Sequence, residues 1–326
     1  MPAAIAGCPS RTERVKILID KLEQGVKDLF ESSRYAAYLS AMSKFHSYSA
    51  NNVLLILLQY PSASRVAGYN AWKKDFGRTV KRGEKGIQIL APCPYKTFME
   101  QDKLDPDTKR PILDSNGDPV RETVLVKRQS FKPVTVFDVS QTEGKELPRL
   151  GVEELSGTVA RFHSLSDALE QLSPVPVRYE APASANAKGS YSHMEQCVYV
   201  RPGMSQTQTL KTLIHEIAHA KLHALPVENG AVTGLPEKDR RTREVEAESV
   251  AYVVCQHFGV DTSNYSFGYV AGWSRGREVE ELRSSLECIR STAAGLIDGI
   301  ERRCPELFPE LLQQMPKPRL KSLDRE

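Results

Sequence analysis

Several features are scarce in this chain, and each shortage narrows its class. The 326 residues hold only six cysteines, Cys8, Cys93, Cys197, Cys255, Cys288 and Cys304, and none stands in a CxxC pair. Such scatter argues against a disulfide framework or a thiolate zinc site and predicts reduced thiols in a cytoplasm. The longest apolar run is Val53–Leu58, far short of the roughly 20 residues that span a bilayer, so no membrane partner is expected. The opening MPAAIAGCPSRTERVK lacks a basic stretch followed by an apolar one, and no secretory leader is expected. A net charge of +3 identifies no class of partner until its distribution is examined. What remains is an ordinary soluble composition, 40% apolar and 26% charged, in a chain long enough for two domains.

Periodicity divides the chain. Val15, Leu18, Leu22, Val26 and Leu29 recur at three- and four-residue steps and predict a helix from residue 11 to about 30. Further helices are expected from about Arg34 to Phe45 and from Asn51 to Gln59, the latter stopped by Pro61. Strand signals follow at Ile87–Leu90, Val124–Val126 and Val134–Phe137. Residues 101–122 read as a long hairpin tip or a mobile insertion. Asp114, Asn116 and Asp118 there are spaced like a calcium loop but lack its closing Glu, so an Asx-turn is expected. A second half holds a helix near Ser166–Leu172, strands at Val177–Tyr179 and Cys197–Val200, and a helix opened by Ser205 and Gln208 as a capping box. The fold class expected is α+β.

That last helix carries His215-Glu216-Ile217-Ala218-His219, an HExxH pentad. Residues i and i+4 lie one above the other on a helix, so both imidazoles reach one metal ion, and Glu216 stands beside them as general base. Zinc is the expected ion. It would acidify a water and polarise a carbonyl, with amide hydrolysis the expected reaction. The strand Cys197–Val200 could present an edge to an extended peptide. A third ligand must come from Arg243-Glu244-Val245-Glu246-Ala247-Glu248. Glu244 and Glu248 share a helix face while Glu246 projects roughly 200° away. Glu244 is the expected ligand, Glu248 the carboxylate that holds a ligand histidine, and Glu246 the alternative ligand. The plainer alternative is that these acids only favour a helix N-terminus. His223, at i+8 from His215, is expected to be exposed or to support a ligand rather than bind metal.

The first half has a different chemistry. Arg65, Lys73, Lys74, Arg78, Lys81, Arg82, Lys85 and Lys96 are opposed only by Asp75 and Glu84, with Tyr60, Tyr69, Trp72 and Phe76 interleaved. Cations that track phosphates and rings that stack on bases suit single-stranded nucleic acid. The plainer alternative packs Trp72 and Phe76 into a small core and leaves the lysines solvated. Candidate contacts are Arg65, Tyr69, Trp72, Lys73, Lys74, Arg78, Lys81, Arg82 and Lys85.

Two resemblances extend these readings. HEIAHA followed by REVEAESVAY resembles the zincin-type domain of the IrrE/ImmA family, whose glutamate followed four positions later by an acid or amide matches Glu244 and Glu248. YSANNVLLILLQYPSASRVAGYNAWKKDFGRTVKRGEKGIQILAP resembles the N-terminal domain of ArdC-type antirestriction and LtrC-like proteins. That family's domain binds single-stranded DNA and is joined to a zincin domain. With the segment Gln141–Leu150, which holds Pro148, as the candidate linker, the expected division is a flexible N-terminus at 1–10, a DNA-binding domain at 11–140, a linker at 141–150, a metallopeptidase domain at 151–303 and a tail at 304–326. It implies a cytoplasmic mobile-element protein with single-stranded DNA and an unknown protein substrate as partners, acting against restriction during DNA transfer. A repressor-cleaving protease, or a DNA-binding protein braced by a structural metal, are the alternatives.

Overall fold

Ser10 accepts the Glu13 N–H, while Glu13 reaches back to the Ser10 N–H, a reciprocal cap for helix α1 (Arg11–Leu29). The structure is a computed structural model and describes residues 10–147, 159–229, 231–263, 265 and 267–305. The expected flexible residues 1–9, the end of the expected linker with the start of the second half (148–158), and residues 306–326 of the expected tail lie outside the described residues. Helix α1 buries Leu18, Leu22, Val26 and Leu29. Helices α2 (Ser32–Lys44) and α3 (Ala50–Gln59) follow.

Strands and one short helix complete the first half: β1 (Val66–Gly68), α4 (Tyr69–Lys74), β2 (Arg78–Val80), β3 (Ile87–Pro92), β4 (Tyr95–Asp102), β5 (Arg121–Arg128), β6 (Phe131–Asp138) and β7 (Thr142–Gly144). Strand order is β1-β6-β3, all antiparallel. The free edge of β3 is covered by α3. Asn52 exchanges two 2.9 Å bonds with Leu90, and Gln59 bonds Gln88 N and O at 3.0 and 2.8 Å. Side-chain amides thus replace a missing strand and satisfy the backbone there. Helix α4 was not expected from the sequence. The hairpin reading of residues 101–122 holds: β4 and β5 pair throughout, and Asp114 Oδ1 accepts the Asn116 and Asp118 N–H groups as an Asx-turn. The linker reading fails at its start, because Thr142–Gly144 pairs with β2 and Gln141 is buried against Glu84 and Lys85.

The second half holds α5 (Val159–Leu172), β8 (Val177–Arg178), β9 (Gly189–Ser192), β10 (Cys197–Val200), α6 (Gln206–Leu222), β11 (Val227–Glu228), β12 (Ala231–Val232), α7 (Arg240–His257), α8 (Val270–Ser274) and α9 (Val279–Arg303). Ser205 caps α6 by accepting the Gln208 N–H, but the reciprocal bond is absent. The Gln208 side chain turns instead to Lys188 and Thr212. Sheet order is β8-β10-β9, so Cys197–Val200 is the central strand and β9 an outer one. The expected substrate edge therefore moves from Cys197–Val200 to β9. No disulfide links the described cysteines, and no described helix is long and apolar enough to cross a membrane.

One apolar cluster runs through both halves. Helix α2 lies on α7, and α1 and α3 lie on α9. Tyr35, fully buried, meets Ser249 Oγ at 2.8 Å, and His257 bridges the Ser43 carbonyl (2.8 Å) and Glu301 (2.9 Å). The N-terminal helices therefore brace the helix that carries the acidic residues. A shared core predicts one cooperative calorimetric transition. Tyr35→Ala, which empties the contact, is expected to lower stability by about 3–5 kcal/mol and move that transition as a unit; two separable transitions would contradict a common core.

Candidate metal centre and nucleic-acid interface

Helices α6 and α7 pack against each other along their length. Each carries an i, i+4 pair on the shared face, His215/His219 on one and Glu244/Glu248 on the other. His215 Nε2 and His219 Nε2 stand 3.1 Å apart, and Glu244 Oε2 lies 3.6 and 3.7 Å from them. Ligands bound tetrahedrally at about 2.0–2.1 Å are separated by about 3.3 Å. Two ring nitrogens at such a distance repel unless a proton or cation lies between them. The three residues therefore suit a divalent ion in spacing and donor chemistry.

The surrounding contacts orient both rings. Glu248 Oε2 is 3.1 Å from His215 Nδ1, close but not in hydrogen-bond alignment. His219 Nδ1 meets His223 Nδ1 at 3.1 Å, and His223 Nε2 meets Glu246 Oε2 at 2.9 Å. One tautomer chain satisfies all of these contacts. His219 donates from Nδ1, His223 accepts there and donates from Nε2, and the His219 Nε2 lone pair is left for a metal. Glu246 is fully buried and also takes the Lys238 ammonium at 2.7 Å. It points away from the histidine pair, so the alternative ligand reading is corrected: Glu246 is the end of a relay. His223 is buried rather than exposed. Its separation of four from His219 was the available sequence signal, and its partner was not visible at all.

Electrostatics follow from burial. Desolvation disfavours the His215 imidazolium, but the facing carboxylates of Glu244 and Glu248 outweigh it and push the group up to about 10. Burial lowers His219, with Glu244 opposing. The two histidines hold Glu244 far below the usual carboxylate range. Burial raises Glu216 to about 7, with His215 opposing. Gly189 of β9 passes so close to Glu216 that a Cβ would sit 2.9 Å from Glu216 Cγ and 2.5 Å from Thr212 Cγ2. A glycine is required there for the strand to reach the helix. The resulting cleft, about 740 Å³, is bordered by β9 on one side and α7 on the other.

The basic half is rearranged relative to expectation. Trp72 is 0% exposed and donates Nε1–H to the Phe137 carbonyl at 2.9 Å. It belongs to the core beside Phe76 and cannot stack on a base, which corrects that assignment. Arg78 binds Thr142 and the Gly144 and Lys145 carbonyls, bracing β2 to β7, and Arg65 is half-buried. Lys81 leans on the Ser140 carbonyl. Lys73, Lys74, Arg82 and Lys85 are exposed, with Tyr69 nearby on the same segment. The β4–β5 ribbon sets Lys96, already among the basic residues of this half, beside residues that the sequence did not single out. The pairs Lys96/Lys127 and Phe98/Leu125 share one face, and Phe98 is 73% exposed.

If the relay sets His219, His223→Ala should weaken zinc binding about 10- to 100-fold in chelator competition, with an unchanged circular dichroism spectrum. Unaltered affinity would mean that other contacts hold the ring.

Comparison with known proteins divides the chain in two. The family model for the N-terminal domain of anti-restriction factor ArdC matches residues 10–137, and that for the IrrE N-terminal-like domain matches residues 171–255. An uncharacterized protein of Bacillus anthracis is 28% identical over 333 residues, covering 91% of this chain and 53% of the relative. A DNA primase TraC of Escherichia coli is 27% identical over 240 residues, covering 72% of this chain and 16% of that protein. The chain thus spans about half or less of the length of these curated relatives. Among solved structures, the metal-free antirestriction protein ArdC of plasmid R388 aligns with a TM-score of 0.45 at 18% identity, over 79% of this chain and 86% of the other. The Mn(II)-bound form aligns with a TM-score of 0.43 at 17% identity, over 78% and 84%.

Proposed function

The chain joins an ArdC-type N-terminal domain to an IrrE-like domain of peptidase type, and on that premise we propose that it is a metal-dependent peptidase that binds single-stranded DNA. The observation that carries the reading is the convergence of His215, His219 and Glu244 beside a carboxylate, Glu216, raised to about 7. Two imidazoles and one carboxylate are a donor set suited to zinc. When bound, a divalent ion supplies Lewis acidity to a carbonyl and acidifies water at the same place. His215, His219 and Glu244 would hold it, while Glu248 flanks the first ring and the His223–Glu246 relay steadies the second. Glu216 takes the proton from the attacking water and returns it to the departing amine. The first half binds single strands through exposed Lys73, Lys74, Lys81, Arg82 and Lys85, with Tyr69 as a stacking ring. In a mobile element the protein acts against restriction of incoming DNA, the role that its ArdC relatives carry in their name.

Glu216→Gln is expected to keep its metal and lose about 10²–10⁴-fold of hydrolysis of an unstructured protein such as casein. Unchanged cleavage would remove the peptidase reading. In metal analysis Glu244→Ala should lose the ion and Glu246→Gln keep it; the reverse pattern would reassign the ligand, and the same measurement identifies the metal. For the DNA partner, retention on a single-stranded oligonucleotide should exceed that on duplex and fall steeply with salt. Changing Lys73, Lys74, Arg82 and Lys85 together to Gln should flatten that slope by about 3–4 phosphate contacts. Equal retention by the altered protein would place the interface elsewhere.

A further inference from the structure

The cleft over the histidine pair is lined by four basic residues, Lys188, Lys211, Arg240 and Arg243, and by three acids, Glu216, Glu244 and Glu248. The acids are committed: Glu244 and Glu248 face the histidines, and Glu216 is set beside them. The bases are not. Among the described residues, none of the four has a carboxylate within the 4.0 Å of an ion pair. Elsewhere in the second half, by contrast, Arg277 and Arg290 each hold carboxylate partners.

Two of the four are built into the wall. Lys211 is only 9% exposed, lies one turn ahead of His215 on the same helix, and rests with Nζ 5.0 Å above the Tyr265 ring. Arg243 directly precedes Glu244 on α7, and its Nε is buried with no hydrogen-bond partner. Basic side chains that face a cleft without an ion-pair partner leave their charge available to an anion entering it. A divalent ion on the three-residue cluster would add two further positive charges to a cleft whose four bases already exceed its three acids. Electrostatic complementarity then requires an anionic occupant.

The shape of the cleft selects which anion. Gly189, Ser190 and Tyr191 of the outer strand β9 form one wall, so the main chain of an extended peptide can continue the β8-β10-β9 sheet there. A phosphodiester backbone offers no amide N–H to such an edge. We propose that the cleft is selective for acidic polypeptide segments, with Lys211 and Arg243 receiving carboxylate side chains that flank the bond held over the histidine pair. The inference rests on the peptidase reading and names the substrate class for the same site.

The test uses the full-length Glu216→Gln protein loaded with Zn²⁺, so that bound peptide is not cut. Fluorescence anisotropy compares a labelled ten-residue Glu/Ala peptide with its Gln/Ala counterpart. The acidic peptide should bind at least about tenfold more tightly. Lys211→Met, which keeps the stem over Tyr265, combined with Arg243→Gln should abolish the preference while leaving the Gln/Ala peptide unaffected, and Lys211→Arg should restore most of it. Equal binding of the two peptides, binding of neither, or a preference that survives the double change would overturn the proposal. So would displacement of the acidic peptide by a ten-nucleotide thymidine strand that depends on the same two residues, since the occupant would then be nucleic acid. Casein hydrolysis by the unaltered protein is read separately. If casein is cut but the peptides bind alike, only the acidic specificity falls; if casein is not cut, the peptidase reading falls.

Discussion

The packing of α6 against α7 is the constraint on which the site depends. An i, i+4 pair of histidines is useful only if something opposite completes the donor set, and the contact between these two helices brings Glu244 within 3.6–3.7 Å of both imidazoles. The same contact sends Glu246, on the other side of α7, into the interior, where it ends the relay from His219 through His223. Interior packing and donor orientation are therefore one arrangement. A rotation of α7 that broke the relay would also withdraw Glu244.

Rigidity around this contact comes from elements far apart in sequence. On one side β9 passes so close that only glycine fits at residue 189, which holds Glu216 in a desolvated place. On the other, α2 seats Tyr35 against Ser249 in the middle of α7, and α9 closes the relay with Lys238 reaching both Glu246 and Cys288. The half of the chain with the basic surface is thereby mechanically joined to the half with the donor cluster. Any ligand that orders α2 or α3 acts on a core that includes α7.

The basic half separates structural from available cations. Arg78 and Trp72 looked equivalent to their neighbours in composition, yet one braces two strands and the other fills the core. The Arg78 N–H groups are taken up by neutral acceptors of β7 and Lys145, which leaves fewer of them to bond a phosphate directly. Lys73, Lys74, Arg82 and Lys85, and the ribbon bearing Phe98 and Lys127, remain free to contribute. In the cleft, Lys211 is largely buried and Arg243 half-buried, and neither has an ion-pair partner among the described residues.

Helical periodicity, the Ser205 cap and the HExxH spacing are local properties, and the chain order alone determined where the longer helices of the first half lie and that His215, Glu216 and His219 share one, although it did not disclose the short helix α4. The i, i+4 relation of Glu244 and Glu248 was equally readable, because it too is a property of a single helix. Which acid meets the histidines, which strand is the outer one, whether Trp72 is a core or a surface ring, and that Lys211 has no ion-pair partner among the described residues depend on neighbours tens or hundreds of residues away. Those outcomes belong to the tertiary structure, because burial and charge pairing are set by what packs opposite a side chain and not by what precedes it in the chain.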